Sequence, residues 1–181
     1  MPAPIDTVLI LESVLKVWRE DGYQRATTRK IASLAEISEV TLFRRFGDKA
    51  ALFKAALELE AERFTAQAVA PSGNLEADLE KIVRAYMALL DQSASIIFDF
   101  LFEAPRNPEL AGIGAVPMAA MGEIAQILKR HQREGRLRAG PPMAALVDLL
   151  SPVIMTALLS RAQPGMVPPI NPTERVRGFL K

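Results

Sequence analysis

The sequence has no cysteine and a single histidine, His131, among its 181 residues. Disulfide frameworks, thiol catalysis and zinc sites built from cysteine and histidine are therefore excluded. A glycine-rich phosphate loop is also missing, as are carboxylates at the spacing of a helical metal site such as Glu-x-x-His. We expect no catalytic residue, metal or cofactor.

Two further absences concern membranes and export. The first ten residues, MPAPIDTVLI, carry no positive charge ahead of their apolar part and do not predict a secretory signal. The most apolar run, residues 143–159, is interrupted by Asp148, Ser151 and Pro152 and falls short of the roughly 20 residues that span a membrane. We expect a cytoplasmic protein with no membrane segment, in which this run forms a buried helix.

Strand patterns are missing too. Runs of β-branched residues with alternating polarity do not occur, whereas helical periodicity covers nearly the whole chain. Half of the residues are hydrophobic, which is enough for a core. We predict an all-α protein of about nine helices: four in about the first seventy residues, then helices near residues 75–91, 93–103, 116–134, 142–161 and 173–180.

The first four helices have clear start and stop signals. The first helix carries one apolar stripe and ends at Gly22, which suits a left-handed cap. Thr27 or Thr28 caps the second helix, Ser38 the third and Asp48 the fourth. The residues expected to face inward are Ile10, Leu11, Val14, Leu15, Trp18, Ile31, Ala32, Leu34, Ala35, Leu42, Phe43, Phe46, Leu52, Leu57 and Phe64.

The second and third helices are short, are joined by a tight turn and need the first helix to cover them. This arrangement predicts a helix-turn-helix module. The side chains on the outward face of the third helix suit the major groove of DNA. They are Glu39, Val40, Thr41, Arg44 and Arg45.

Charge alone gives weaker support for DNA binding. The net charge is +1, but residues 25–49 hold six basic against three acidic side chains. An excess of this size is by itself typical of a solvated face. Thr27, Thr28 and Ser38 stand at helix starts, where free backbone N–H groups favour a phosphate, and Lys49 stands at the start of the fourth helix. Helix capping alone explains the two threonines and the serine equally well. Capping does not explain two adjacent exposed arginines, which favour DNA binding.

Residues 10–53, ILESVLKVWREDGYQRATTRKIASLAEISEVTLFRRFGDKAALF, resemble the DNA-binding module of TetR/AcrR-type bacterial transcription regulators. The matching positions include Gly22, Thr27, Thr28, Ile31, Ala32, Ala35, Ser38, Thr41, Leu42, Phe46, Lys49 and Leu52. The resemblance implies phosphate contacts from Thr27, Thr28 and Lys49, a base within reach of Arg29, and a groove-facing set of Glu39, Val40, Thr41 and Arg44.

Three positions depart from that family's pattern. Glu36 stands in place of the usual turn glycine, so a left-handed conformation there is mildly strained. Val40 stands where glycine is common. Phe43 replaces a tyrosine whose hydroxyl commonly reaches a phosphate, and Arg45, at a position where histidine or tyrosine is common, can compensate.

A homodimer is expected because one helix-turn-helix buries too little surface for tight specific binding. Symmetric dimers that read the half-sites of a palindromic operator, about 34 to 36 Å apart, are the common solution. The resemblance also implies a dimer and a small-molecule effector. The apolar helix at residues 142–161, beside Val176, Phe179 and Leu180, is the candidate dimer surface; burial in the chain's own core explains these residues equally well.

The candidate effector pocket rests on phenylalanine and methionine, whose surfaces accept varied apolar ligands. Its residues are Phe98, Asp99, Phe102, Met118, Met121 and Met155. Core packing explains the apolar members equally well. If Asp99 and Glu103, one turn apart, face inward, they favour a cationic group on an otherwise apolar effector.

Together these features predict a DNA-binding transcription regulator, most simply a ligand-responsive repressor. Residues 1–47 form the expected DNA-binding domain, and residues 48–181 form the ligand-binding and dimerisation domain. A helical protein-interaction adaptor without DNA binding is the alternative. A helical enzyme is a weaker one, because the catalytic groups are missing.

Overall fold

The computed structural model describes residues 6–69 and 72–181. Regular structure in these residues is helical, without a strand, which confirms the all-α prediction. A π-helical turn, Asp99–Glu103, and a 3-10 turn, Ala104–Arg106, separate the fifth and sixth α-helices. The α-helices of the described residues are α1 Thr7–Arg25, α2 Thr28–Leu34, α3 Glu39–Phe46, α4 Lys49–Ala68, α5 Leu75–Phe98, α6 Pro108–Ile113, α7 Ala115–Arg133, α8 Pro142–Ala162 and α9 Pro172–Leu180.

Side-chain caps fix the starts of the short helices, as predicted. The hydroxyls of Thr27 and Ser38 each accept the backbone N–H three residues on, at 3.2 and 3.1 Å. Asp48 accepts the N–H of Ala51 at 2.8 Å where α4 begins. Each such cap contributes on the order of 1 kcal/mol. The boundaries of α2 and α3 are therefore set by local chemistry.

Gly22 and Glu36 both have positive φ angles. Gly22 lies within α1 with φ 75° and ψ 163°, which interrupts the helical geometry. The helical geometry breaks at Gly22 as predicted, but α1 does not end there: it continues to Arg25, and its C-cap is Ala26. Glu36 has φ 54° in the turn between α2 and α3. This is the conformation expected at the position where the resembled family has glycine.

The chain divides into two compact units. The first combines the described residues up to Ala61 with Ser93–Pro117, and the second combines Glu62–Gln92 with Met118–Lys181. The divisions fall within α4, α5 and α7. The functional boundary after residue 47 stays a prediction.

The core of the first unit has an aromatic centre. The ring of Trp18 lies 5.5 Å from that of Tyr23 and 5.1 Å from that of Phe53, and all three side chains are buried. Apolar side chains from α1, α2, α3 and α4 surround them. Three core residues come from the later segment of the chain: Ile96, Leu110 and Ile113. The helix-turn-helix therefore shares one core with residues 93–117.

The second unit contains a buried polar pair. His131 Nε2 lies 3.0 Å from Asp78 Oδ2, and the two side chains are 1% and 2% exposed. The backbone N–H and the hydroxyl of Ser72 donate to Asp78 Oδ1 at 2.6 and 2.7 Å. Burial raises the pKa of Asp78, but the hydrogen bonds from Ser72 and His131 outweigh it, and the net pKa is lowered.

Two side chains predicted to face inward are exposed. Leu34 is 40% exposed and Phe43 is 41% exposed. Helices of seven and eight residues have a narrow buried face, which is occupied by Ile31 and Ala32 in α2 and by Leu42 in α3. Leu34 and Phe43 lie off that face and remain in contact with solvent.

The middle of the chain also differs from its prediction. The predicted break between the helices at residues 75–91 and 93–103 corresponds to a kink at Ser93, with φ −134° and ψ 25°, inside α5. Beyond the kink α5 continues to Phe98, and the expected helical end at residues 99–103 is a π-helical turn. Helix α6 forms between residues 103 and 116, where no helix was predicted. Asn107 caps its first turn, and Pro108 suits the first helical position.

Helix α8 forms where the helix at residues 142–161 was predicted, but the prediction that its apolar run is buried was wrong. It has 21 residues, and 22% of its apolar window is buried. Leu146, Leu149 and Val153 are buried, whereas Val147 and Met155 are each 53% exposed. By length and composition alone, three described helical stretches could cross a membrane: Leu75–Arg106, Pro108–Arg133 and Pro142–Ala162.

Candidate nucleic-acid interface

Helices α2 and α3 are held together across their turn. The backbone N–H of Ile37 donates to the carbonyl of Ala32 at 3.0 Å. The hydroxyl of Thr28 donates to the Glu39 carboxylate at 2.7 Å, so the start of α2 is tied to the start of α3. Leu42 is fully buried beneath them. Glu39, predicted to face the groove, therefore also fixes the geometry of the two helices.

The outer face of α3 is open to solvent. Val40 is 77% exposed, and Arg44 is exposed without a hydrogen bond or ion pair among the described residues. Thr41 is half-buried, and its hydroxyl lies 2.9 Å from that of Ser38. Arg44 and Val40 are therefore available for contact with another molecule. The helix that carries them is fixed by the buried Leu42 and by the Ser38 cap.

The other cations of the module differ in what they contact. Arg29 is exposed, with no polar partner in the part of the chain that the structure describes. The Arg45 guanidinium donates to the hydroxyl of Thr7, at the start of α1. Lys30 is paired with Asp21 at 2.8 Å and with Glu20 at 3.2 Å. Among these cations of the module, Arg29 and Arg44 are the two without a hydrogen bond or ion pair to described residues.

Lys49, predicted to bind phosphate, is engaged inside the first unit. Its ammonium donates to the carbonyl of Tyr23 at 3.0 Å and lies 4.7 Å from the centre of the Tyr23 ring. Burial lowers the pKa of Lys49, and the negative charge of Glu109 opposes this effect. The Lys49 ammonium thus already has a partner within the protein, the Tyr23 carbonyl. Its contact with phosphate stays a prediction.

The predicted effector residues lie in both units. Phe98, Asp99 and Phe102 belong to the first unit, and Met118, Met121 and Met155 belong to the second. Phe102, Met118 and Met155 are each more than half exposed. The pocket stays a prediction. Within the second unit, a groove of about 290 Å³ is lined by side chains that include Met87, Leu90, Asp91, Val153 and Arg161.

Sequence reasoning missed the contacts of Asp99. Its Oδ2 accepts the indole N–H of Trp18 at 2.7 Å and the backbone N–H of Tyr23 at 3.0 Å. The hydroxyl of Tyr23 also donates to Glu109 at 3.2 Å, and burial followed by the charge of Glu109 raises the pKa of Tyr23 to about 12. These partners are more than seventy residues apart, and no local pattern pairs them.

Comparison with known proteins covers both parts of the chain. Residues 10–56 match the family of bacterial regulatory proteins, tetR family. Residues 69–167, more than half of the chain, match the tetracyclin repressor-like C-terminal domain. An uncharacterized HTH-type transcriptional regulator of Mycobacterium tuberculosis is 37% identical over 109 residues, 60% of this chain and 52% of that protein. The chain thus spans about half the length of this relative.

Other similarities extend over most of the molecule. The HTH-type transcriptional repressor AcnR of Corynebacterium efficiens is 26% identical over 159 residues, 86% of this chain and 81% of that protein. The solved structure of the flavonoid-responsive regulator FrrA has a TM-score of 0.70 at 23% identity and covers 96% of this chain and 92% of its own. The fatty acid degradation regulator FadR from Bacillus halodurans has a TM-score of 0.73 at 18% identity, with 96% and 95% covered. The structures establish the fold, and the family matches establish that this chain belongs to the tetR family of bacterial regulatory proteins.

Proposed function

We propose that the protein is a sequence-specific DNA-binding transcription regulator, a cytoplasmic homodimer that represses its target until an effector binds. The observation that carries this proposal is the outer face of α3. Arg44 and Val40 stand there exposed, on a helix fixed by the Ser38 cap and by the bond between Thr28 and Glu39. Membership of the family favours a regulator over an adaptor or an enzyme.

Some of these exposed side chains suit the base edges of DNA, and others suit its phosphate backbone. The Arg44 guanidinium can donate two hydrogen bonds to the O6 and N7 atoms of a guanine, and Val40 can pack against a thymine methyl group. Arg45 is held near the start of α1 by Thr7, where it suits a backbone phosphate. The caps Thr27 and Ser38 lie at helix starts, which also favour phosphate.

Dimerisation is supported by α8. One stripe of this helix carries Val147, Ser151 and Met155, which are four residues apart and all exposed. A mostly uncovered apolar helix is the kind of surface that a symmetric dimer buries. A second copy of the chain would then place two α3 helices on the two half-sites of a palindromic operator.

A largely apolar effector is supported by the groove in the second unit. Met87, Leu90 and Val153 give it apolar walls, and Asp91 and Arg161 supply charged groups at its lining. The relatives whose names refer to flavonoids and fatty acids have the same fold. Met118, Met121 and Met155 of the same unit do not line this groove and remain separate candidates for contact with an effector, as do Phe98 and Phe102 of the first unit. The Oδ2 atom of Asp99 already accepts two protein hydrogen bonds.

Selection of duplex DNA from a random pool by the purified protein tests this function. We expect enrichment of one palindromic sequence, and an affinity for it that falls steeply as salt concentration rises. The variant Arg84→Ala, which removes an exposed arginine of α5, serves as the control for loss of charge alone and should select the same sequence. If no sequence is enriched and binding is independent of salt, the adaptor alternative replaces the regulator.

A further inference from the structure

One backbone hydrogen bond of α1 is replaced by two side chains from another segment. In a continuous α-helix the N–H of Tyr23 would donate to the carbonyl of Arg19. Gly22, between them, leaves helical geometry with φ 75° and ψ 163°. The Tyr23 N–H donates instead to Asp99 Oδ2 at 3.0 Å, and the Arg19 carbonyl accepts the hydroxyl of Ser95 at 3.2 Å.

The two side chains that bond the freed N–H and C=O groups of α1 lie on one face of one helical segment. Ser95 and Asp99 are four residues apart, so they lie one helical turn from each other. Asp99 Oδ2 also accepts the indole N–H of Trp18 at 2.7 Å, which joins the fully buried aromatic centre to the same carboxylate. A Cβ at Gly22 would lie 3.8 Å from Asp99, and the positive φ there would strain any other residue.

We propose that Ser95 and Asp99 are positioning residues for DNA reading, an assignment that rests on the proposed function. They hold the break at Gly22 and thereby fix Tyr23, whose carbonyl is held from the other side by Lys49. The chain leaves α1 at Ala26 and enters α2 through its cap Thr27. The position of Tyr23 therefore sets where α2 begins, and α3 follows because it is tied to α2.

If Ser95 and Asp99 position α3, their loss should reduce the preference for the operator over other DNA more than it reduces binding to DNA in general. Hydrogen bonds to base edges depend on the position of each donor, whereas attraction between arginine and phosphate tolerates small displacements. A displaced α3 keeps its charges but loses base contacts. Removing Asp99 should therefore weaken binding to the selected operator more than binding to a scrambled duplex.

The test compares the affinity ratio, operator over scrambled duplex, for the full-length protein and three variants. Asp99→Ala should lower the ratio about tenfold, because loss of one good base contact has that size. Asp99→Asn, whose amide oxygen can accept both N–H groups, should stay within about threefold of the parent. Asp78→Ala is the matched control, since Asp78 accepts a backbone N–H in the second unit and is hydrogen-bonded to an imidazole nitrogen there. It should lower thermal stability and leave the ratio unchanged.

Circular dichroism and light scattering at the assay temperature and concentration establish that each variant is folded and dimeric. If Asp99→Ala does not fold, Ser95→Ala, which removes only the hydroxyl that meets Arg19, should still lower the ratio about threefold. An unchanged ratio in folded Asp99→Ala, or in Ser95→Ala when Asp99→Ala is unfolded, overturns the proposal. A parent protein that prefers no sequence refutes the proposed function instead, so the two failures are distinguishable.

Discussion

At the scale of single residues, Arg44 and Arg45 are neighbours with different surroundings. Arg44 has no polar partner among the described residues, and Arg45 donates to Thr7. We expect Arg44→Ala to cost about 1 to 3 kcal/mol on the selected operator and to relax the preference at one base pair. Arg45→Ala should weaken binding to all sequences alike and flatten the salt slope by about one unit per half-site.

Binding of both variants to the operator and to a scrambled duplex, over a range of salt concentrations, measures this difference. Arg84→Ala again controls for net charge. Equal losses on both duplexes for Arg44→Ala would remove its assigned role in base reading. A change of preferred sequence in Arg45→Ala would show that Arg45, and not Arg44, contacts a base.

Residues whose role depends on near neighbours could be predicted from the sequence. The caps Thr27 and Ser38 and the positive φ angle of Gly22 follow from side-chain chemistry within a few positions, and the structure confirms them. Exposure of Phe43 could not be predicted, because it depends on which side of an eight-residue helix meets the core. The contacts of Asp99 with α1 required the tertiary fold, since periodicity carries no information about partners more than seventy residues away.

At the scale of elements, α8 carries the prediction about assembly. Met155→Lys would place an ammonium on its exposed apolar stripe, and burying an unpaired charge in a dimer interface is strongly unfavourable. We expect this variant to be a folded monomer that binds a half-site but has lost most of its affinity for the palindrome. Light scattering at micromolar concentration measures the mass.

A matched control for this change exists on another helix. Gln126→Lys adds the same charge at an exposed position of α7 and should leave the dimer intact. A dimeric Met155→Lys protein would show that the stripe of Val147, Ser151 and Met155 lies outside the interface. A monomeric parent, with or without DNA, would contradict the dimeric mechanism altogether.

Helix boundaries could be predicted where capping is strong and not where helices are continuous. Helices α8 and α9 begin within about one residue of their predicted starts, because a proline opens each of them and Asn171 caps α9. The passage from α5 into the π-helical turn at Asp99 has no such mark in the sequence. The burial of α8 was predicted wrongly because hydrophobicity alone does not show which apolar side chains are covered by the rest of the chain.

At the scale of the whole molecule, Asp78 links stability to pH. Its lowered pKa means that the folded state holds fewer protons than the unfolded state near pH 3.8, the ordinary value. The stabilisation is therefore complete above about pH 5 and is lost as the pH falls through 3.8 and below. Asp78→Asn should lower the free energy of unfolding by about 1 to 3 kcal/mol at neutral pH.

Denaturant unfolding of the parent and of Asp78→Asn from pH 7 to pH 3 measures this dependence. The difference between the two proteins should shrink as the pH falls. Asp148→Asn is the control, because Asp148 is exposed and its partner Arg138 is exposed as well. A difference that stays constant down to pH 3 would show that protonation of Asp78 does not contribute to acid unfolding.

The first unit is assembled from two stretches that the ribosome makes at different times. Residues up to Ala61 emerge first, and all of Glu62–Gln92 must follow before Ser93–Pro117 can join them. At about 5 to 20 residues per second, this interval lasts seconds. Until it ends, Ile96, Leu110 and Ile113 are missing from the core, and the N–H groups of Trp18 and Tyr23 lack their carboxylate. A nascent chain should therefore expose its α3 helix well before it can recognise an operator, and on the proposed function repression should await synthesis as far as Pro117.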